Sequence, residues 1–164
     1  MSDEEFWAKP TEASKIKIEI VSKYFTPWSK VILGIAKQQN GLAYVDMFSG
    51  RGRYSNGFPS TPIRILQTAL KSPDLRNLLH LFFNDGDLKN FTILSEEINS
   101  LPNLSLMNYR PKILNIELCP NNLSTILGKI QEINNYPTLF FIDPYGYKGM
   151  SLQSIKFLIK GKGN

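Results

Sequence analysis

Runs of apolar residues, each closed by a polar or acidic position, recur along the chain: Leu42 to Val45 before Asp46, Leu78 to Phe83 before Asn84-Asp85, Ile113 to Ile116, and Thr138 to Ile142 before Asp143. Runs of this length without an internal period predict strands buried on both faces. Between them the apolar residues return every three to four positions, the period of a helix with one buried face. Phe91, Leu94, Ile98 and Leu101 mark one such helix from Leu88, and Leu123, Ile126, Leu127, Ile130 and Ile133 mark another. Thr61-Pro62 opens a helix through about Lys71, which Ser72-Pro73-Asp74 breaks, and Ser151 to Ile159 begins a last one. In the first forty residues Ile20, Val21, Tyr24, Phe25, Trp28, Val31, Ile32 and Ile35 form one apolar face. Thr26 as N-cap with Pro27 at the first helical position predicts two helices meeting there.

Strands alternating with helices predict a doubly wound, Rossmann-like α/β fold with a mostly parallel sheet. The expected strands lie near 42–47, 79–84, 112–116 and 138–143, in spatial order 3-2-1-4, with helices on both faces. Residues 1–40 are expected as a helical extension packed on the sheet and 41–164 as the α/β domain.

In a parallel sheet the carboxyl ends of all strands share one edge, and ligands bind in the crevice there. Asp46, Asp85 and Asp143 each end a predicted strand and so converge on one candidate site. Asp46 leads into Phe48-Ser49-Gly50-Arg51-Gly52, where Gly50 and Gly52 permit a tight turn and close approach of a ligand to the backbone. Asp85 sits where a carboxylate accepts hydrogen bonds from two ribose hydroxyls. Its distance beyond Gly52 exceeds the usual spacing of about 20 residues, and a long loop carrying Asn56-Gly57 accounts for the excess. Asp143-Pro144-Tyr145 offers an acceptor, a rigid turn and an aromatic face for a planar group. A single Asp after a strand more often caps a turn or helix, and Asp87 is expected to be such a cap.

Composition limits the partners. At 164 residues, 42% hydrophobic and 20% charged, the chain suits one globular domain. The net charge of +5 permits an anionic partner such as nucleic acid, although the basic residues are scattered except at Lys156, Lys160 and Lys162. Cys119 and His80 are each the only residue of their kind, which excludes an intrachain disulfide and a cysteine- or histidine-built metal cage. Met1-Ser2-Asp3-Glu4-Glu5 lacks the basic-then-apolar pattern of a signal peptide, and no apolar run reaches the length of a membrane span. The expectation is a cytoplasmic protein without membrane partners.

Asp46-x-Phe48-Ser49-Gly50-x-Gly52 resembles the first motif of class I S-adenosylmethionine-dependent methyltransferases. Asp143-Pro144-Tyr145 is similar to the Asp-Pro-Pro-Tyr motif of their amino-methylating members, with Tyr145 in place of the second proline. More specifically, the chain resembles the three-Cys-motif partner (TcmP) family. The pieces are Ser14-Lys15-Ile16-Lys17, Asp46 to Tyr54, Ser60-Thr61-Pro62, Asn84-Asp85-Gly86-Asp87 and Phe141 to Gly149. The resemblance implies a methyltransferase-like fold, S-adenosylmethionine as cofactor, and a prokaryotic gene beside one for a three-cysteine, radical-SAM-like protein. It implies cofactor contacts at Asp46, Phe48, Gly50, Gly52 and Asp85, and methyl transfer beside Asp143, Pro144 and Tyr145. It also implies further C-terminal strands, so that the chain reads as the N-terminal part of a longer protein. The alternative is a non-catalytic docking partner for the three-cysteine protein. Cytosine-5 methyltransferases share the glycine string but need Cys after Pro, and Cys119-Pro120 has the reverse order. A nicotinamide dehydrogenase needs a third glycine where Ser55 stands.

Overall fold

The computed structural model describes residues 3–118, 123–130, 135–144 and 156. Among them the elements run α1 (Asp3–Ala8), α2 (Glu12–Gln39), β1 (Leu42–Asp46), α3 (Thr61–Leu70), α4 (Pro73–Leu78), β2 (Leu79–Asn84), α5 (Leu88–Asn99), β3 (Lys112–Leu114), α6 (Leu123–Lys129) and β4 (Thr138–Phe141). The protein is mixed α/β. Its four strands form one sheet in the order β3-β2-β1-β4, and every pairing is parallel. The expected order and direction are those observed; β1, β3 and β4 end one to two residues earlier than expected.

Alternation along the strands builds a core on each face, because successive side chains point to opposite sides. Leu42, Tyr44, Leu79, Leu81 and Phe83 face a cluster with Phe25 of α2, Ile63 and Leu66 of α3, and Leu94 and Ile98 of α5. Ala43, Val45 and Phe82 face the other way, onto Ile126 of α6 and the adjacent Ile130. All residues of β1 and β2 are buried, whereas β4, at the sheet edge among the described residues, is half-buried throughout. The carboxyl ends are stitched together by Asn84. Its Nδ2 donates to the carbonyls of Met47 (3.2 Å) and Ile116 (3.0 Å), and its Oδ1 accepts from Ile116 N (3.1 Å).

The two helices expected to meet near Thr26 are instead one helix of 28 residues with Pro27 inside it. Pro27 cannot donate to the carbonyl four residues back. The helix persists because Phe25, fully buried, and Val21, Trp28 and Ile32 are held against the sheet-facing core. Hydroxyls also supply local bonds: Ser22 Oγ donates to Ile18 O (2.7 Å) and Ser29 Oγ to Thr26 O (2.9 Å). Thr11 caps the start by accepting from Ser14 N (3.1 Å), and Asn40 ends the helix in a left-handed conformation with φ of 59°. The single apolar face expected for this segment also divides. Val21, Phe25, Trp28 and Ile32 pack inward, while Ile16, Ile20, Tyr24, Val31 and Ile35 are exposed.

Ser72-Pro73-Asp74, expected only as a break, starts α4: Ser72 Oγ accepts from Leu75 N (3.4 Å) with Pro73 in the first turn. The cap of α3 is Ser60 rather than Thr61. Asp87 caps α5 as expected, accepting from Asn90 N (2.8 Å). The expected helix over 151–159 lies outside the described residues except for Lys156, and Cys119-Pro120 lies outside them as well. No helix of the described residues is long and apolar enough to cross a membrane.

Candidate functional site

A cavity of about 670 Å³ opens at the carboxyl edge of the sheet, between the strand ends and the N-terminal helices. Asp46, Asp85 and Asp143 all line it, as do Phe48, Gly50 and Pro144. The parallel sheet thus brings together residues almost a hundred positions apart. Tyr145 lies outside the described residues.

Asp46 forms the floor and is essentially inaccessible, at 1% exposure. Its Oδ1 accepts from Phe48 N at 3.1 Å. Burial, and then the nearby charges of Asp85 and Asp143, push its carboxyl up to about 8 against the opposing pull of the Phe48 N–H. Asp46 therefore carries its proton through neutral pH.

Asp85 is held by the turn it faces. Its Oδ2 accepts from Gly50 N at 2.8 Å, and its Oδ1 accepts from Asp87 N at 3.0 Å and Asn90 Nδ2 at 3.3 Å. This ties the glycine turn after β1 to the start of α5, a role not visible from the position of Asp85 after an apolar run. Two bonds fill the acceptor sites of Oδ1, so the remaining acceptor capacity lies on Oδ2.

Gly50 and Gly52 serve different ends. Gly50 has φ of 64° and lies under the Trp7 ring, where an added Cβ would stand 2.3 Å from a ring carbon. Gly52, with φ of 82°, does not line the cavity; an added Cβ there would meet Leu94 at 2.9 Å and Ile63 at 3.3 Å. Its missing side chain lets the loop close onto α3 and α5. The same loop is fastened to α5 by Arg51 Nε donating to Asn90 Oδ1 (3.0 Å) and Arg53 Nε to Glu97 Oε2 (2.9 Å).

Asp143 stands at the rim. Lys17 of α2 reaches both of its carboxylate oxygens, at 2.8 and 2.9 Å. No local pattern could announce this pair, which joins residues 126 positions apart. Trp7, likewise unremarked in the sequence, roofs the glycine turn. The Arg51 guanidinium lies 5.3 Å from its ring, and its carbonyl accepts from Ser55 N at 2.8 Å. Ser60 and Thr61, at the start of α3, complete the polar lining. A cap-plus-proline start was legible at Thr61-Pro62, but neither the Ser60 cap nor the place of the two residues in the cavity was.

No family model, curated protein or solved structure matches the chain. The size of the cavity falls in the usual range for a small-molecule site, roughly 300–1,000 Å³. Among the described residues no group of three His, Cys, Asp or Glu side chains is placed to hold a metal ion. The lining instead offers carboxylates, a glycine turn and aromatic rings, which suit a polar organic ligand with hydroxyl and cationic groups.

Proposed function

We propose that this cavity binds S-adenosylmethionine and that the protein is a methyltransferase of class I, TcmP-like architecture. The observation that carries the reading is the meeting of Asp46, Asp85 and Asp143 with the Gly50 turn in one cavity at the carboxyl edge of an all-parallel sheet. The lining supports the reading: Asp85 Oδ2 keeps acceptor capacity for a ribose hydroxyl, and the Gly50 turn with the Phe48 and Trp7 rings offers a surface for an organic ligand.

When bound, the cofactor supplies an electrophilic methyl group; the chain's part is placement. In this reading Asp143 and the Pro144 carbonyl, both in the lining, accept hydrogen bonds from an acceptor amine, and Tyr145, next in sequence, stacks on it. Lys17 pairs with Asp143 until an acceptor replaces it. Asp46 holds a proton on the buried floor, so that bringing in a cation does not require two adjacent bare carboxylates beforehand. The net charge of +5 favours an acceptor carried on an anionic polymer such as nucleic acid.

Calorimetry with S-adenosylmethionine tests the reading on the wild type and on Asp85→Ala. Micromolar binding is expected in the wild type, weakened by about 1.5–3 kcal/mol in the variant through loss of a charged partner. Equal heats for the two proteins would refute the ribose assignment. Absence of binding at millimolar cofactor would favour a second reading, a docking module for a three-cysteine protein. One observation supports that alternative: the exposed apolar row of α2, in which Val31 is 80% exposed and Ile20 61%.

A further inference from the structure

Three lysines in the first half of α2 are held in two different ways. Lys15 pairs with Glu12 and Lys23 with Glu19, each within a turn of its own helix and outside the cavity lining. Lys17 lies in the lining and reaches across to Asp143, its Nζ donating to both carboxylate oxygens at 2.8 and 2.9 Å. Tyr54, also in the lining, feels both charges. Burial raises its phenol above the ordinary value, a Ser14 hydrogen bond and the Lys17 charge lower it, and the Asp143 charge raises it. The pair is not an anchor of the fold. The two side chains are 57% and 37% exposed, and an ion pair so exposed stabilises by about 1 kcal/mol or less.

Lys17 thus places a primary amine on the rim carboxylate, in the cavity that also holds the Gly50 turn. The proposed reaction asks the same of its acceptor. Both contacts fall within the reach of a general base, roughly 2.6–3.2 Å. A lysine amine is a competent nucleophile once a neighbouring group takes its proton. We infer that Lys17 is a methylation site of the protein itself, the first acceptor that this cavity serves. The inference rests on the S-adenosylmethionine reading for its methyl donor. The Lys17 ammonium passes one proton to Asp143, and the freed Nζ lone pair attacks the sulfonium methyl. The C–N bond forms as the C–S bond breaks, its electron pair staying on sulfur. Methyl-lysine and S-adenosylhomocysteine result, and the proton on Asp143 leaves to water. The modification also acts on the rim. A lysine ammonium has three N–H donors, and each methyl replaces one. Dimethylated Lys17 keeps a single N–H, cannot give each Asp143 oxygen its own donor, and opens that carboxylate to another acceptor.

The test incubates the purified chain with S-adenosylmethionine bearing a deuterated methyl group and maps the peptides by mass spectrometry. Lys17 takes up the label, while Lys15 and Lys23 on the same helix do not. Asp143→Asn slows the labelling by about a hundredfold or more, the contribution of a positioned base. The rate constant is independent of protein concentration, because donor and acceptor share one cavity. Equal labelling of the three lysines, a rate proportional to concentration, or an unlabelled Lys17 overturns the inference. Calorimetry adds a readout that needs no turnover. It compares S-adenosylhomocysteine with the cofactor analogue in which an amine-bearing carbon replaces the methylated sulfur. Lys17→Met frees Asp143 for that amine, so the analogue binds about tenfold more tightly while the thioether stays within about twofold. Equal changes for the two ligands overturn the inference. Thioether binding without label at Lys17 refutes the inference alone; a wild type that binds none of these compounds refutes the cofactor reading as well.

Discussion

Asp46 and Asp85, at the ends of the two central strands, are held by N–H groups of the fold itself, whereas Asp143, beyond the edge strand, is held by a lysine side chain from α2 that is 57% exposed. The floor carboxylates cannot move without the glycine turn moving. The rim carboxylate can exchange its partner by rotation of one flexible side chain. Preorganised groups suit a constant ligand, and an exchangeable one suits the group that must meet a second molecule. The difference follows from topology: β1 and β2 are paired on both sides, so the segments leaving them are crowded by neighbouring backbone, while β4 pairs only with β1 among the described residues.

The sharpest test is the pH response of the floor. In the unfolded chain Asp46 titrates near 3.8, and in the fold it is pushed up to about 8. Between these values the folded state holds a proton that the unfolded state has lost, so stability falls as pH rises and levels off above the folded value. Asp46→Asn should remove this dependence. Urea unfolding at pH 5 and pH 7 should show the wild type losing about 3 kcal/mol relative to the variant across that interval. Parallel curves for the two proteins would mean that the floor carboxylate is as solvated as the rim.

Gly50→Ala should come next, with a loss of about 3 kcal/mol, because the left-handed φ and the collision with Trp7 add. Denaturant midpoints check it, and a near-neutral result would show that the roof over the turn yields easily. The smallest effect belongs to the rim. Lys17→Met should cost less than about 1 kcal/mol, and the cost should vanish in 1 M salt, as expected for an exposed ion pair. A larger, salt-independent loss would place Asp143 with the floor.

The sheet was legible in the sequence because its strands are apolar runs that almost nothing else explains, and their order followed from the fold class they implied. Pro27 misled because a proline at a plausible cap is also tolerated inside a helix when tertiary burial, here of Phe25, outweighs one missing hydrogen bond. The three aspartates were legible as a group, since the parallel sheet alone dictates their convergence. What each one touches was not. The Asp85 bond to Gly50 and the Lys17 pair depend on loop geometry between distant positions, which carries no period or motif. Gly52 shows the same limit: its glycine string is visible, but its packing against Leu94 and Ile63 rather than the cavity is a matter of three dimensions.

The chain's two tryptophans fall on opposite sides of this division. Trp28 packs beside Phe25, with ring centroids 6.0 Å apart, in the interior behind the sheet. Trp7 lies against Tyr54 and over the Gly50 turn at the mouth of the cavity. The molecule therefore contains its own optical gauge: with Trp28 replaced by Phe, the remaining indole emission registers the polarity of the cavity mouth, and with Trp7 replaced it registers only the integrity of the core.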